Sequence, residues 1–425
     1  MIFFLGLLIA LIVVLLPIPF TSCVLIALLG MFIGLFIYVG KKTKEAVFLP
    51  EVFLLSFILK ITVSLLVYNF IFSYRGTGLM GDGWSYSENG YSIVQIWLSG
   101  IKNIGVIEAC IRRISPSGTV GSYDFWNAAV YFFTSKSPVS LIFINCLVSS
   151  LTVIFIYYIT KQLYNEKAAK IAAVLTAFWP SLFIWSIQNL KEPLSIFLLV
   201  VLIWAILQLK LKFKFYLLFL IILVSIALRE LRLVSFFVFF GAIFPIYLIL
   251  LLWRKNRILS IFLFLLTGAV MAVIIDNYLK DRTILEYINY ARTVRASRGN
   301  TSFLPNLDIT NPVNFIFFVP VALAVAWLSP FPWQMGSTSQ ITVIPEMLLY
   351  YALLPVMFLG WSFVMKYKIR EGGLIIVYIA IMMLVLAFVE GNIGTLFRHR
   401  AMVLPFMFIL IGVGIDRIKN KEKTA

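Results

Sequence analysis

The chain has 425 residues, of which 62% are hydrophobic and only 12% charged, and its mean hydropathy is +1.01. Soluble domains carry about 25% charged residues, so this composition excludes an ordinary soluble protein. A net charge of +17 would indicate nucleic-acid binding in a soluble protein. In a membrane protein the positive-inside rule explains the excess of Lys and Arg, and we predict no nucleic-acid partner.

Apolar stretches of the length that a helix needs to cross the hydrocarbon layer recur along the chain. They predict an all-α polytopic membrane protein with about twelve or thirteen transmembrane helices. The number depends on stretch 313–329, where Pro312, Pro320 and Pro330 favour a re-entrant or interfacial segment over a full span. The stretches are 2–16, 21–39, 50–72, 140–160, 168–186, 192–210, 214–228, 233–253, 258–276, 313–329, 345–366, 372–390 and 400–416.

Basic clusters between these stretches predict the orientation in the membrane. Placing them in the cytoplasm puts both termini inside and the long loops 73–139 and 277–312 outside. An amphipathic run between Ile93 and Ile101 predicts a helix on the membrane surface within the first loop. Loop 277–312 is polar and basic, and it shows no sustained periodicity. Lys60 lies inside an apolar stretch, and the sequence indicates no partner for it.

Several basic residues are predicted to lie on the outer side, where the positive-inside rule disfavours them. Arginine binds phosphate bidentately, so their convergence predicts a site for an anionic lipid headgroup, most simply a polyprenyl phosphate. The alternative is a set of side chains that snorkel to the headgroup layer. These residues are Lys191, Arg229, Arg232, Arg292, Arg295, Arg298, Arg398 and Arg400.

Three acidic residues are candidates for proton transfer at the outer side. Asp82, in Gly81-Asp82-Gly83-Trp84, has no clear helix starting on it, so helix capping does not explain it. Glu192 precedes Pro193 and is either a site residue or an N-terminal cap. Asp124 lies just before a span and is likewise either a site residue or a cap.

Other motifs do not support a cofactor site. The G-x-G-x-x-G pattern at 76–81 follows a transmembrane stretch and not a β-strand, so it is not a dinucleotide-binding motif. His399 is the single histidine and has no Cys pair beside it, which excludes a zinc site. Between Arg398 and Arg400 it is either a phosphate donor or a helix-end residue. No cofactor is predicted, and the sequence leaves open whether a divalent cation takes part.

The order of these features resembles that of the GT-C glycosyltransferases, polytopic enzymes that take sugars from polyprenyl-phosphate carriers. The chain is similar to bacterial relatives of the dolichyl-phosphate-mannose protein mannosyltransferases and to the lipid A aminoarabinose transferases. Asp82 matches the acid of the family's first outer loop, and Lys191-Glu192 resembles its second acidic motif. Arg398-His399-Arg400 with Pro405 resembles the basic C-terminal segment that approaches the carrier phosphate.

The resemblance implies one integral membrane domain over 1–425. Its parts are an additional N-terminal hairpin (2–39), a GT-C-like module (50–280), and a lid loop with C-terminal helices (281–425). It implies a multi-pass protein of the bacterial cytoplasmic membrane whose active site faces outward among the membrane lipids. The donor would be a polyprenyl-phosphate-linked sugar, and the acceptor, a glycan, lipid or protein, stays unspecified.

In the implied inverting mechanism, Asp82 takes the acceptor proton, and Glu192 orients the acceptor or tethers an arginine. Lys191, Arg229, Arg398, His399 and Arg400 bind the phosphate. Arg292, Arg295 and Arg298 close over the carrier, with Asp124 as a further site residue. This mechanism requires Asp82 to share a pocket with Arg398 and Arg400.

Two other functions stay open at this point. A cell-surface polysaccharide polymerase would use the same outer arginines on a diphosphate-linked lipid oligosaccharide. A flippase or transporter would need charged residues at mid-membrane and paired broken helices, and Lys60 is the clearest such charge.

Overall fold

The computed structural model describes residues 20–39, 47–69, 82–114, 120–252, 256–279, 283–297, 301–334 and 341–422. Within these ranges the regular elements are helices, with one isolated antiparallel bridge between Ser302 and Asn392. The prediction of an all-α protein is confirmed. The first apolar stretch, 2–16, lies outside the described residues.

The helices are numbered here in chain order. They are α1 (Phe20–Val39), α2 (Phe48–Val67), α3 (Asp82–Leu98), α4 (Ile104–Ile114), α5 (Ser122–Thr134), α6 (Pro138–Leu163), α7 (Glu166–Phe178), α8 (Pro180–Ser186), α9 (Glu192–Leu211), α10 (Phe215–Leu231), α11 (Leu233–Leu252), α12 (Arg257–Leu279), α13 (Ile284–Ala296), α14 (Pro312–Leu328), α15 (Ile344–Tyr367), α16 (Ile369–Val389), α17 (Ile393–Arg400) and α18 (Leu404–Glu422). A π-helical turn, Phe239–Ile243, interrupts α11.

Six of the described helices are long and apolar enough to cross a membrane, and the number is eight if each of two bent pairs forms one span. The pairs are α7 with α8, bent by 51°, and α17 with α18, bent by 60°. Each predicted stretch from 21–39 onward corresponds to a helix or a bent pair. The twelve or thirteen transmembrane helices predicted from the sequence also included stretch 2–16 and shorter apolar helices. Among the latter are α10 and α14, each 17 residues long. The protein is therefore a polytopic membrane protein.

The chain forms two compact units. The first unit comprises Met1–Tyr158, Ala173–Ala205 and Phe213–Arg232, and the second comprises Ile159–Ala172, Ile206–Lys212 and Leu233–Ala425. The predicted single integral membrane domain over 1–425 remains a prediction.

In the first unit, the predicted outer loop folds into the amphipathic helices α3, α4 and α5. Ile107 and Ile111, one turn apart on α4, are fully buried against Ile93 of α3 and Ala128 of α5. The predicted amphipathic helix is present, but it begins well before Ile93, because α3 already starts at Asp82. Its position on the membrane surface remains a prediction. This early start places a helix N-terminus beside the candidate acid.

In the second unit, the polar segment after α12 contains a regular helix, α13, although its sequence shows no sustained periodicity. The Thr283 side chain accepts a hydrogen bond from the Glu286 backbone N–H, and the Glu286 carboxylate accepts one from the Thr283 N–H. This reciprocal capping box satisfies the first backbone donors of the helix. The segment therefore has a defined structure that can position its arginines.

Candidate functional site

A buried hydrogen-bond network in the first unit joins the start of α5 to the turn before α9. The Tyr123 hydroxyl lies 2.9 Å from the Leu190 carbonyl oxygen and 3.0 Å from Asn189 Oδ1. Asn145, on α6, donates from Nδ2 to the carbonyl oxygens of Gln188 (2.8 Å) and Leu190 (2.9 Å). These side chains replace the helical hydrogen bonds that the 187–191 turn lacks, and they hold the turn in one conformation.

The same network fixes the start of α3. Asn189 donates from Nδ2 to the Gly83 carbonyl oxygen at 3.0 Å, and a Cβ atom at position 83 would lie 2.9 Å from the Asn189 carbonyl oxygen. Only glycine allows this close approach of the two backbones. We call the side chains of Tyr123, Asn145 and Asn189 the polar hub.

Three predicted site residues are the direct chain neighbours of groups held by the polar hub. Asp82 precedes Gly83, Asp124 follows Tyr123, and Lys191 follows Leu190. The first unit therefore ties three separate parts of the chain together at the positions next to Asp82, Asp124 and Lys191. Lys191 is half-buried, and its charge acts on the Asp124 carboxylate.

Asp82 is exposed and lies in the first turn of α3. The expectation that no helix starts at this residue was therefore wrong. A carboxylate in the first turn complements the helix dipole, which gives Asp82 a structural role in addition to any chemical one. Its exposure leaves the carboxylate accessible to an acceptor molecule.

Asp124 is buried, with 2% of its surface exposed, and its two carboxylate oxygens differ in their surroundings. Oδ2 accepts a 2.7 Å hydrogen bond from the Gly121 N–H and so caps α5, whereas Oδ1 has no hydrogen-bond partner. Burial raises the pKa of Asp124 to about 6, although Gly121, Asn89 and Lys191 each oppose that rise. The sequence left open whether Asp124 is a cap or a site residue. The structure shows that Oδ2 caps α5, and the site role remains a prediction.

Asn127, one turn along α5, adds two more unsatisfied atoms. Its side chain is fully buried, and neither Oδ1 nor Nδ2 has a hydrogen-bond partner in the described structure. Unpaired polar atoms in an interior are uncommon and need an explanation such as a bound water or ligand. With Asp124 Oδ1, they are three buried polar atoms on α5 that have no hydrogen-bond partner in the described structure.

Glu192 forms a buried ion pair at the start of α9. Its Oε1 atom lies 2.5 Å from Nη2 of Arg232, and both side chains are largely withdrawn from solvent. Arg229, which the sequence favoured as the basic residue of this turn, is instead 60% exposed and lies 3.8 Å from Glu230. Of the two roles predicted for Glu192, the geometry matches the tethering of an arginine, and that arginine is Arg232.

In the second unit, the basic segment on α17 is organised by a carboxylate that the sequence analysis did not select. His399 Nδ1 lies 2.7 Å from Oε1 of Glu390, and Arg295 Nε lies 3.6 Å from Oε2 of the same residue. Glu390 is buried, while His399 and Arg398 are half-buried. The carboxylate thus joins α17 to α13.

Arg400 is buried and binds the end of α14. It donates from Nη1 to the Ser329 carbonyl oxygen (2.6 Å) and the Trp327 carbonyl oxygen (3.3 Å), and its guanidinium lies 4.5 Å from the Tyr350 ring centre. The last carbonyls of a helix lack intrahelical donors, and Arg400 supplies one.

Arg292 has a similar role within the predicted lid. It is fully buried and donates to the carbonyl oxygens of Leu304 (2.6 Å) and Leu307. Burial lowers the pKa of Arg292, and the nearby Asp308 charge opposes this. Arg292 therefore holds the segment after α13 in place. The remaining predicted lid arginine, Arg298, lies outside the described residues.

Part of the chain is similar to a known protein family. Residues 124–278 match the model of the dolichyl-phosphate-mannose-protein mannosyltransferase family. The predicted resemblance to the GT-C glycosyltransferases is confirmed. The matching segment contains Asp124, Lys191, Glu192 and Arg232, whereas Asp82 and the α17 segment lie outside it.

The chain is also similar to a solved structure, the crystal structure of ArnT from Cupriavidus metallidurans bound to undecaprenyl phosphate. It is 12% identical in sequence, with a TM-score of 0.49 over 85% of this chain. The chain spans 60% of the length of that protein. A search of curated proteins found no match.

The predicted site residues fall into both units. Asp82, Asp124, Lys191, Glu192 and Arg229 belong to the first unit, and Arg292, Arg295, Arg398, His399 and Arg400 belong to the second. The pocket that Asp82 was expected to share with Arg398 and Arg400 remains a prediction.

Sequence reasoning did not select Glu390 or the polar hub. A signal existed for Glu390, because it is the one Asp or Glu between positions 372 and 415 and lies nine residues before His399. Arg232 was noted only as one of many outer cations. Lys60, for which the sequence indicated no partner, donates to the Ser149 hydroxyl at 2.9 Å.

Proposed function

We propose that this protein is a glycosyltransferase that moves a sugar from a polyprenyl-phosphate carrier to an acceptor hydroxyl, with inversion at the anomeric carbon. The observation that carries the proposal is the polar hub, since its hydrogen bonds tie together the chain segments that contain Asp82, Asp124 and Lys191. The family match over 124–278 supports the same reaction class. The site would face outward from the bacterial cytoplasmic membrane, where the carrier lies among the membrane lipids.

Asp82 is proposed as the general base because it is accessible and is held at a fixed helix start. It would take the proton of the acceptor hydroxyl as the oxygen attacks the anomeric carbon. A positioned base of this kind contributes about 10²–10⁴ in rate. Asp124, through Oδ1, would orient the acceptor, and its pKa of about 6 keeps it mostly ionised at neutral pH.

The departing group is a lipid phosphate that gains negative charge as the sugar leaves. Lys191 would stabilise this charge, since fixed cations in a partly dry site act most strongly on charge that develops during the reaction. Glu192 would hold Arg232 for the same purpose. In the second unit, Arg398, His399 and Arg295 are proposed to bind the carrier phosphate, while Arg292 and Arg400 position the backbone around them. Arg229 keeps its predicted phosphate-binding role and Arg298 its predicted role in closing over the carrier, and a requirement for a divalent cation stays open.

The test compares Asp82→Asn with Glu88→Gln in membrane vesicles supplied with a polyprenyl-monophosphate sugar. Glu88 is on the same helix, pairs with Lys136 at 3.0 Å near the surface, and provides the matched loss of one carboxylate. We expect transfer to fall by about 10²-fold or more in Asp82→Asn at normal membrane abundance, and to stay unchanged in Glu88→Gln. Full turnover of Asp82→Asn would exclude it as the base.

The donor and the stereochemistry are tested in the same assay. A monophosphate-linked sugar should be consumed, with the product in the opposite anomeric configuration. Consumption of only a diphosphate-linked oligosaccharide, with growth of a polymer, would instead identify a polysaccharide polymerase.

A further inference from the structure

Glu390 is a buried carboxylate that contacts a guanidinium and an imidazole from different elements. It lies directly after α16, and its two oxygens face His399 of α17 at 2.7 Å and Arg295 of α13 at 3.6 Å. One carboxylate therefore determines the separation of a guanidinium and an imidazole that are about one hundred residues apart in the chain.

Basic groups from two helices lie close to Glu390. Arg292 and Arg295 belong to α13, and Arg398, His399 and Arg400 end α17. Arg295 and His399 both contact the Glu390 carboxylate. A guanidinium and a protonated imidazole held this close together can bind an anion jointly.

The backbone around Glu390 leaves the carboxylate little freedom. Phe303 N–H donates to the Gly391 carbonyl oxygen at 2.7 Å, and Ile393 N–H donates to the Thr301 carbonyl oxygen at 2.9 Å. Position 391 has no room for a side chain, because a Cβ atom there would clash with the Arg292 carbonyl oxygen. Glu390 is thus fixed between the segment that follows α13 and the start of α17.

We propose that Glu390 is a positioning residue that orients Arg295 and His399 toward the phosphate of the lipid carrier. The identity of the carrier rests on the proposed function, but the anion-binding role can be measured without any sugar transfer. Two physical effects predict opposite results when the carboxylate is removed. Coulomb's law alone predicts tighter phosphate binding, because a negative charge is lost beside the anion. Loss of orientation predicts weaker binding, because the two donors no longer converge.

The experiment measures binding of decaprenyl phosphate and of decaprenol to the full chain in detergent, with wild type and Glu390→Gln. Decaprenol shares the lipid tail and lacks the phosphate, so the ratio of the two affinities reports the headgroup alone. We expect Glu390→Gln to weaken decaprenyl phosphate binding by about tenfold or more, the effect of losing one charge-assisted hydrogen bond, and to leave decaprenol binding unchanged.

Controls separate positioning from a general loss of structure. Glu371→Gln removes an exposed carboxylate from the opposite end of α16 and should change neither affinity. Arg295→Gln should cause a similar loss, and the double variant Arg295→Gln/Glu390→Gln should lose little more than either single one, because the residues act as a unit. If Glu390→Gln does not fold, Glu390→Asp keeps the charge on a shorter side chain and should show an intermediate loss.

Unchanged or tighter phosphate binding in Glu390→Gln would overturn the proposal, and so would an equal loss for decaprenyl phosphate and decaprenol. Should phosphate binding fall as expected while no sugar is transferred by the wild type, the positioning role holds and the proposed transferase function fails.

Discussion

At the scale of single residues, burial gives Asp124 a protonation equilibrium close to physiological pH. Burial raises the pKa of its carboxyl from 3.8 to about 6, so the folded protein binds a proton more tightly than the unfolded chain does. Stability from this group is therefore fully present below pH ~4 and is lost as the pH rises through ~6. Ionisation of this buried carboxylate at neutral pH lowers the free energy of unfolding by about 2–3 kcal/mol.

This cost predicts a pH-dependent difference between wild type and Asp124→Asn. Thermal unfolding in detergent should show the wild type losing a few degrees of Tm relative to the variant between pH 4.5 and pH 7. The physical reason is that asparagine cannot ionise. Parallel pH profiles of the two proteins would mean that Asp124 is not in the protonation state inferred from its burial.

The Glu192–Arg232 pair predicts a second effect on stability. Arg232→Gln should lower the free energy of unfolding by about 3 kcal/mol, because it leaves the Glu192 charge buried without its partner. Glu192→Gln/Arg232→Gln should recover part of that loss. Thermal unfolding measures the stability of both variants, and Glu230→Gln, at an exposed position, is the control. Equal stability of Arg232→Gln and wild type would show that the pair is solvated in solution.

At the scale of elements, the described part of the segment that was predicted to close as a lid is held by several contacts. A capping box starts α13, Arg292 binds the carbonyls that follow it, and backbone hydrogen bonds join it to residues 391–393. Closure over a carrier would therefore require this segment to open first.

Gly391→Ala tests how tightly α13 is held. The new methyl group would clash with the Arg292 carbonyl oxygen and approach the Ala296 Cβ atom to 2.9 Å. We expect destabilisation of about 1–3 kcal/mol and faster hydrogen exchange in residues 284–297. Gly268→Ala on α12, where a Cβ atom meets nothing within 4 Å, is the matched control and should be neutral or stabilising. Unchanged exchange in Gly391→Ala would show that α13 is not packed as described.

Part of this structure could be predicted from the sequence. Hydropathy predicts the apolar helices, because bilayer thickness sets the length of a span. Thr283 and Glu286, three residues apart, are a recognisable signal for the start of a helix. The polar hub was not readable. Tyr123 and Asn189 are 66 positions apart and Asn145 and Leu190 are 45 apart, so no local spacing links them. Burial of Asp124 likewise depends on the packing of α3 against α5.

At the scale of the whole molecule, the native cysteines allow the predicted orientation to be tested. Cys110 is half-buried on α4, in the loop predicted to lie outside, and Cys146 is buried in α6. In a Cys23→Ser background, a membrane-impermeant maleimide should label Cys110 in intact spheroplasts and should not label Cys110→Ser. Labelling that requires permeabilised membranes would place this loop in the cytoplasm and reverse the orientation.

The Tyr123 hydroxyl has a consequence for how loss-of-activity screens of this protein are interpreted. Replacing it in Tyr123→Phe would remove one hydrogen bond each from the Leu190 carbonyl and the Asn189 side chain while leaving each ionisable group present. The hydrogen bonds from Asn145 to Leu190 and from Asn189 to Gly83 would remain, so the turn would be held less firmly. A loss of transfer in this variant would resemble the loss of a catalytic group. A loss of activity at position 123 therefore indicates a loss of positioning. Only a structural measurement distinguishes it from the loss of a catalytic side chain.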